Sequence, residues 1–302
     1  MVTATKTARL AVVGGIVLCL ALAGCSSSEG TSDAAVASIA PSVDPVLAEA
    51  TSQLPAEIVS SGELVIATDG ASRPNSYIGD GGDLVGWEVE LGNEIAARLG
   101  LKARFVVTPF DQIITEVTGG AVDIGLASMF DTKKRQQEVV FVDYYQGGIA
   151  WAAPTGSAIT PDTACGLTIA VRSGTFQQTV DLPAKSAACE KSGQAPIIVR
   201  SLQTQDEVTS EVLSGFADAY TADSPVTLDA ILQSSGRLVQ AGRTYDVQFY
   251  GMPLRKNREG LAPALLAAIT DLQADGTYAR VLGKWGVDEG AILSPFINAG
   301  SS

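Results

Sequence analysis

From Leu64 to Thr221, short β-branched or apolar runs alternate with segments whose apolar residues recur at helical spacing, and the series occurs twice on one plan. That alternation restricts the chain to an α/β architecture with a largely parallel sheet, because each strand is joined to the next by a crossover helix. Leu64–Ala67 reads as a strand stopped by Thr68-Asp69-Gly70. Glu88–Leu99 reads as a helix with Val89, Leu91, Ile95, Ala96 and Leu99 on one face and Gly100 as its stop. Ala103, Phe105 and Val107 alternate as a strand, Ile113–Val117 makes a short helix, and Val122–Leu126 follows as a buried strand after the Gly119-Gly120 turn. The second series runs Leu167–Val171, a helix after Thr175, Ile197–Val199, a helix over Gln205–Leu213, and Ala217–Thr221. Ser224-Pro225 is expected to supply the N-cap and first proline of a helix to Leu232. Leu261–Leu272 and Tyr278–Trp285 read as closing helices, and Pro45–Ser60 as two short helical turns.

A length of 302 residues suffices for two lobes, each with its own core, and a composition 46% apolar and 18% charged is that of a folded chain. Twenty basic residues against 33 acidic give a net charge of −13, the wrong sign for phosphate backbones, so nucleic acid is disfavoured as a partner. The chain contains no His, which removes His-centred triads, His metal ligands and imidazole acid–base chemistry. No metal or other cofactor is expected.

The first residues give a compartment. Lys6 and Arg9 precede the 14-residue run Leu10–Ala23, which has the layout of an export signal and is too short to span a bilayer comfortably. It ends in Leu22-Ala23-Gly24-Cys25, which resembles the lipobox of bacterial lipoproteins. Residues 1–24 therefore read as a signal peptide and Cys25 as a diacylated mature N-terminus; an ordinary secretory signal with an incidental Cys is the alternative. Two acyl chains anchor stably, which puts the protein on the outer face of the cell membrane. Residues 25–56 read as tether and linker, rich in Ser, Ala, Gly and Thr up to about Ala40. Once Cys19 leaves and Cys25 is lipidated, an exported chain keeps Cys165 and Cys189, expected to form a disulfide, with two buried thiols as the alternative.

The order of several short motifs is similar to one known family. Ile66-Ala67-Thr68-Asp69, Gly86-Trp87-Glu88-Val89-Glu90-Leu91, Phe110-Asp111-Gln112, Asp131-Thr132-Lys133-Lys134-Arg135, Val171-Arg172-Ser173-Gly174-Thr175, Ala222-Asp223-Ser224-Pro225 and Asp275-Gly276-Thr277-Tyr278 together resemble family 3 solute-binding proteins, the receptors of polar amino acid ABC importers. Cys165-Gly166, Cys189 and Lys284-Trp285-Gly286-Val287 resemble an actinobacterial branch. The resemblance implies a two-lobed α/β fold of the periplasmic-binding-protein type II kind, with a ligand cleft between lobes and two hinge-crossing strands near Tyr145–Gly148 and Asp246–Tyr250. The implied division is 57–146 and 247–287 for lobe 1, 147–246 for lobe 2, and 288–302 for a tail. The implied partners are an amino acid or derivative, an ABC permease with its ATPase, and the membrane through lipid, with the protein a monomer and not an enzyme.

Charge argues for the site. Holding an α-amino acid away from water requires a bidentate cation, oriented amides and an acid. Arg135, placed in the first turns of a helix capped by Asp131 or Thr132, resembles the family's carboxylate arginine; a solvated Arg within Lys133–Arg135 is the alternative. Ser173-Gly174-Thr175 joins a strand to a helix, so its amides and the Thr175 hydroxyl are expected to grip the same carboxylate, with simple capping as the alternative. Asp223 is expected to meet the ammonium, against an alternative role in capping beside Ser224. The resemblance adds Ser128 and Arg172 to the ligand-binding set. It also shows departures: Phe110 matches one ring of the usual aromatic sandwich, but Ser72 stands at the other, with Tyr77 nearby. Phe130 and Phe176 replace commonly polar or small residues. Asp69 matches an acid that meets a ligand's distal amide or cation, favouring a polar or basic side chain, against an Asx turn with Gly70. Two alternatives on the same fold are a ligand sensor and a dehydratase-like enzyme, the latter needing a positioned acid or base beside the zwitterion.

Overall fold

The computed structural model describes residues 44–302, so the expected signal peptide, Cys19, Cys25 and most of the tether lie outside the described residues. Helices α1 (Pro45–Ser52) and α2 (Ala56–Ser61) lead into β1 (Glu63–Thr68). A small antiparallel sheet follows, made of β2 (Ala71–Ser72), β3 (Ser76–Ile78) and β4 (Leu84–Val85). The chain continues through α3 (Trp87–Arg98), β5 (Lys102–Val107), α4 (Ile113–Gly119), β6 (Ile124–Gly125) and the long β7 (Val139–Pro154). Then come β8 (Thr168–Arg172), α5 (Leu182–Lys191), β9 (Ile198–Leu202), α6 (Gln205–Leu213), β10 (Ala219–Asp223) and α7 (Ser224–Gln233). The described residues end with β11 (Leu238–Gln240), β12 (Tyr245–Arg255), α8 (Leu261–Ala274), α9 (Thr277–Trp285) and β13 (Phe296–Ile297).

One curled mixed sheet runs β5-β1-β6-β12-β7-β10-β8-β9, with β11 and β13 also on β7. β1 is parallel to β5 and β6, and β8 is parallel to β9 and β10, so the two sequence series form two parallel half-sheets. The first half of β7 pairs with the end of β12 and with β13, whereas its second half pairs with β10 and β11. The lobe containing β1 and the lobe containing β8 therefore share β7, and β12 runs antiparallel beside it from Gly147↔Gln248 to Val139↔Arg255.

Apolar periodicity explains the packing. Trp87, Leu91 and Ile95 of α3 and Leu261, Leu265 and Ile269 of α8 are fully buried with Leu64 and Ile66 of β1 in one core. In the other lobe Val208 and Val212 of α6 pack with Ala170 and Tyr220. Gly86 opens α3 at φ +138°, and a Cβ there would lie 2.0 Å from the Asn75 carbonyl oxygen, so only glycine fits. Cys165 and Cys189 form a disulfide that ties the segment before β8 to α5.

Three local expectations change. β6 is Ile124–Gly125 rather than Val122–Leu126: it meets β12 only at Leu254↔Ile124, where the neighbouring Pro253 has no N–H to extend the ladder. The N-cap of α7 is Asp223, with Ser224 as the first helical residue; the Ser224 hydroxyl instead accepts from the Gly148 amide at 3.2 Å. Arg135 begins a three-residue 3₁₀ turn, Arg135–Gln137, because β7 starts at Val139; the Thr132 hydroxyl accepts the Arg135 amide at 3.2 Å, and no helix start faces the site there.

Candidate functional site

A cavity of about 30 Å³ lies where the two lobes meet. That is room for roughly two waters. Its lining includes nine of the ten ligand-binding residues expected from sequence: Ser72, Phe110, Ser128, Phe130, Arg135, Arg172, Thr175, Phe176 and Asp223. Asp69 is buried beside the cavity but does not line it. Tyr77 lies away from it, edge-on to Trp285 with the Arg73 guanidinium 4.6 Å from its ring centre, so it does not complete an aromatic sandwich.

The cations come from opposite lobes. Arg135, on the turn before β7, donates from Nη1 to the Phe130 carbonyl at 2.8 Å and from Nη2 across the interface to the Gly174 carbonyl at 3.0 Å. Desolvation by the surrounding protein pulls its guanidinium down to about 10, against the opposing charges of Asp223 and Asp131. Arg172, the last residue of β8, donates from Nη1 to both Asp69 and Ser72 of the other lobe, and its guanidinium carbon lies 4.4 Å from the centre of the Phe110 ring.

The free acid is Asp223 at the end of β10. Although Asp223 stands at the N-cap position of α7, its side chain makes no capping bond, and its Oδ1 accepts instead from Gln177 Nε2 at 2.6 Å. Burial pushes its carboxyl up to about 6, although Gln177 and the charges of Arg172 and Arg135 pull the other way. Asp69, by contrast, accepts from the Ser72 hydroxyl at 2.7 Å, the Ser76 hydroxyl at 2.8 Å, the Ala71 amide at 3.3 Å and Arg172. The expected Asx turn is present through Ala71, and direct access of a ligand to this carboxylate is blocked.

The Ser173-Gly174-Thr175 turn also differs from expectation. The Gly174 amide donates to Gln178 Oε1 at 2.7 Å and the Thr175 hydroxyl donates to the Arg172 carbonyl at 2.7 Å, so both groups are used within the turn. Gly174 has φ +75°, and a Cβ on it would lie 2.7 Å from Cβ of Asp111 in the facing lobe. Only glycine lets the lobes approach this closely.

Phe130 and Phe176 meet edge to face at 5.8 Å and form the apolar wall. Behind Ser128 lies a network that sequence reasoning missed. Trp87 Nε1 donates to Asn75, Asn75 donates to the Ser128 hydroxyl at 2.6 Å, and the Ser128 amide and hydroxyl donate to Glu88 Oε1 at 2.7 and 2.9 Å. This network holds Ser128 at φ +51°, a strained conformation for a residue with a Cβ. Burial raises Glu88 to about 7, but Glu88 does not line the cavity. Gln177, Gln205 and Asn75 line it without having been expected. Neutral amides carry no pattern in sequence, and only their position reveals them.

The arrangement is therefore a cation and an anion from different lobes facing one small, partly apolar cavity, which suits a compact dipolar solute. Comparison with known proteins agrees. Residues 64–288 match bacterial extracellular solute-binding proteins, family 3. The chain is 33% identical over 299 residues to the arginine-binding protein ArgT of Corynebacterium glutamicum, covering 97% of this chain and 96% of that protein. It is 30% identical to the lysine/arginine/ornithine-binding periplasmic protein of Escherichia coli, over 73% of this chain and 86% of that protein. Its structure resembles that of an ancestral arginine-binding protein bound to arginine, with a TM-score of 0.68, 26% identity, and 74% and 98% of the two chains covered. These relatives are named as binding proteins and not as enzymes. Fold, site geometry and likeness thus converge: the chain belongs to the bacterial extracellular solute-binding proteins of family 3.

Proposed function

We propose that this protein is a lipid-anchored, extracytoplasmic receptor that captures an amino acid or derivative with a polar or basic side chain and delivers it to the permease and ATPase of an ABC importer. It works as a monomer tethered through Cys25, with residues 57–146 and 247–287 as one jaw, 147–246 as the other and 288–302 as a tail. The observation that carries the reading is that Arg135 and Asp223, from different lobes, border one cavity. The ligand carboxylate displaces the two neutral carbonyls that Arg135 now holds, because a charge-assisted bidentate pair is stronger than two bonds to carbonyls. The ligand ammonium takes the place of the Gln177 amide on Asp223. A ligand held from both sides favours the closed form by its differential affinity for closed over open, and the permease reads that closure.

Thermal denaturation in the presence of each of the twenty amino acids tests this. At 100 times its dissociation constant a ligand adds about 2.7 kcal/mol of stability. At least one polar or basic amino acid is expected to raise Tm of the wild type, and neither Arg135→Ala nor Asp223→Ala should respond to it. A wild type indifferent to all twenty would refute the reading.

A further inference from the structure

Arg172 is bound into the site in an unusual way. The residue is only 7% exposed, and its guanidinium spreads over the Phe110 ring at 4.4 Å and reaches across the interface to Asp69 and Ser72. A carboxylate offers about four acceptor positions. Those of Asp69 are taken by Arg172, two hydroxyls and the Ala71 amide. The other nitrogens of Arg172, Nε and Nη2, have no acceptor among the described residues, while the side chain lines the cavity. This end of the cavity thus presents donors without a net charge of its own, because the positive charge of Arg172 is matched by Asp69. An incoming guanidinium or ammonium meets Arg172 first and must break a buried ion pair, leaving a charge uncompensated. An incoming carboxylate would sit beside Asp69. A neutral acceptor meets neither penalty.

We propose that Arg172 is a specificity-determining residue. Tethered to Asp69 behind it, this cation occupies the Phe110–Ser72 end of the cavity, so that the site selects amino acids with a neutral, acceptor-bearing side chain, a carboxamide, ureido group or hydroxyl, over arginine and lysine. This rests on the amino-acid reading above and narrows its ligand class.

Isothermal titration calorimetry of the full-length protein with glutamine, asparagine, serine, citrulline, glutamate, arginine and lysine provides the test. The wild type is expected to bind one of the neutral ligands at least about tenfold more tightly than arginine, lysine or glutamate, a gap of about 1.4 kcal/mol. Arg172→Ala is expected to gain at least about tenfold for arginine or lysine, since Asp69 then faces the ligand. Because that variant leaves Asp69 buried and unpaired, Arg172→Gln is measured beside it, with melting curves confirming that both are folded. The double variant Asp69→Asn with Arg172→Gln is expected to lose the gain. Equal weakening of every amino acid by Arg172→Ala would overturn the proposal and make Arg172 a holder of the ligand carboxylate. Unchanged preferences in both single variants, or a wild type that prefers arginine, lysine or glutamate, would also overturn it. In those cases the amino-acid reading stands. If neither the wild type nor the folded variants bind any amino acid, both this proposal and the reading beneath it fall.

Discussion

Asp223 carries the clearest chemical signature of any single residue. Its carboxyl titrates near 6 because burial outweighs the attraction of its neighbours, whereas its ordinary value is 3.8. Only the ionised form attracts an ammonium, so ligand binding lowers this pKa and releases a proton at pH values around and below 6. Affinity is therefore expected to be flat above pH 7 and to fall by up to about tenfold per pH unit below 6. Calorimetry in buffers of different ionisation enthalpy at pH 5.5 reads the proton directly; uptake, or no exchange, contradicts the assignment. Charged residues such as Arg135 and Asp223 were legible in the sequence because an amino acid's two charges demand them. Asn75, Gln177 and the Glu88–Ser128 network were not, since an amide or a motif acid gains its role only from the burial around it. Asp69 was expected to meet a ligand directly, and its capture by Arg172, which the sequence did not reveal, depends on a contact across 103 residues.

At the level of elements, the alternation of strands and helices was legible because it follows from local periodicity, whereas the bounds of β6 and β9 shifted and the small β2-β3-β4 sheet was not read. For β7 and β12 the resemblance placed only the crossings, near Tyr145–Gly148 and Asp246–Tyr250, and not the full lengths of 16 and 11 residues. Gly147-Gly148, where the first crossing was expected, lies inside β7, and a Cβ on Gly147 would come within 2.2 Å of the Tyr250 hydroxyl. The tail is also more than a tail: β13 pairs with β7, the Ala299 amide donates to Asp143 at 3.0 Å, and the Gly300 amide donates to Asp131 at 2.8 Å. Asp131 lies just before the Thr132–Gln137 turn that carries Arg135, and burial together with Asp131 raises Asp143 to about 7. A Cβ on Gly300 would lie 1.8 Å from the Asp131 carbonyl oxygen. Gly300→Ala is accordingly expected to cost about 1–3 kcal/mol in urea unfolding, and an unchanged midpoint would show that the tail does not bear on the Arg135 turn. The disulfide acts in the lobe containing β8. Replacing Cys165 and Cys189 by Ser should lower stability by roughly 3 kcal/mol while leaving ligand preference intact, and altered preference would mean that the bridge shapes the cavity.

For the whole molecule, the lobes touch through contacts that do not require a large apolar interface. The Arg135–Gly174 bond, the Arg172–Asp69 pair, the exposed Arg73–Asp229 pair at 3.1 Å and the Gly174–Asp111 approach all cross between them. Such largely polar contacts are suited to being exchanged for ligand contacts, as a closing clamp demands. Two-lobed architecture was legible from the repeated series and from family likeness, whereas the fit of the jaws was not, because it depends on side chains distant in sequence. The central claim is that both charges of one zwitterion are held at once from opposite lobes. The most direct test is calorimetry of the tightest-binding amino acid beside its α-amide, which lacks the carboxylate, and its N-acetyl form, which lacks the ammonium. Each derivative is expected to bind at least about 100-fold more weakly than the parent, and either one binding as tightly as the parent would contradict the account.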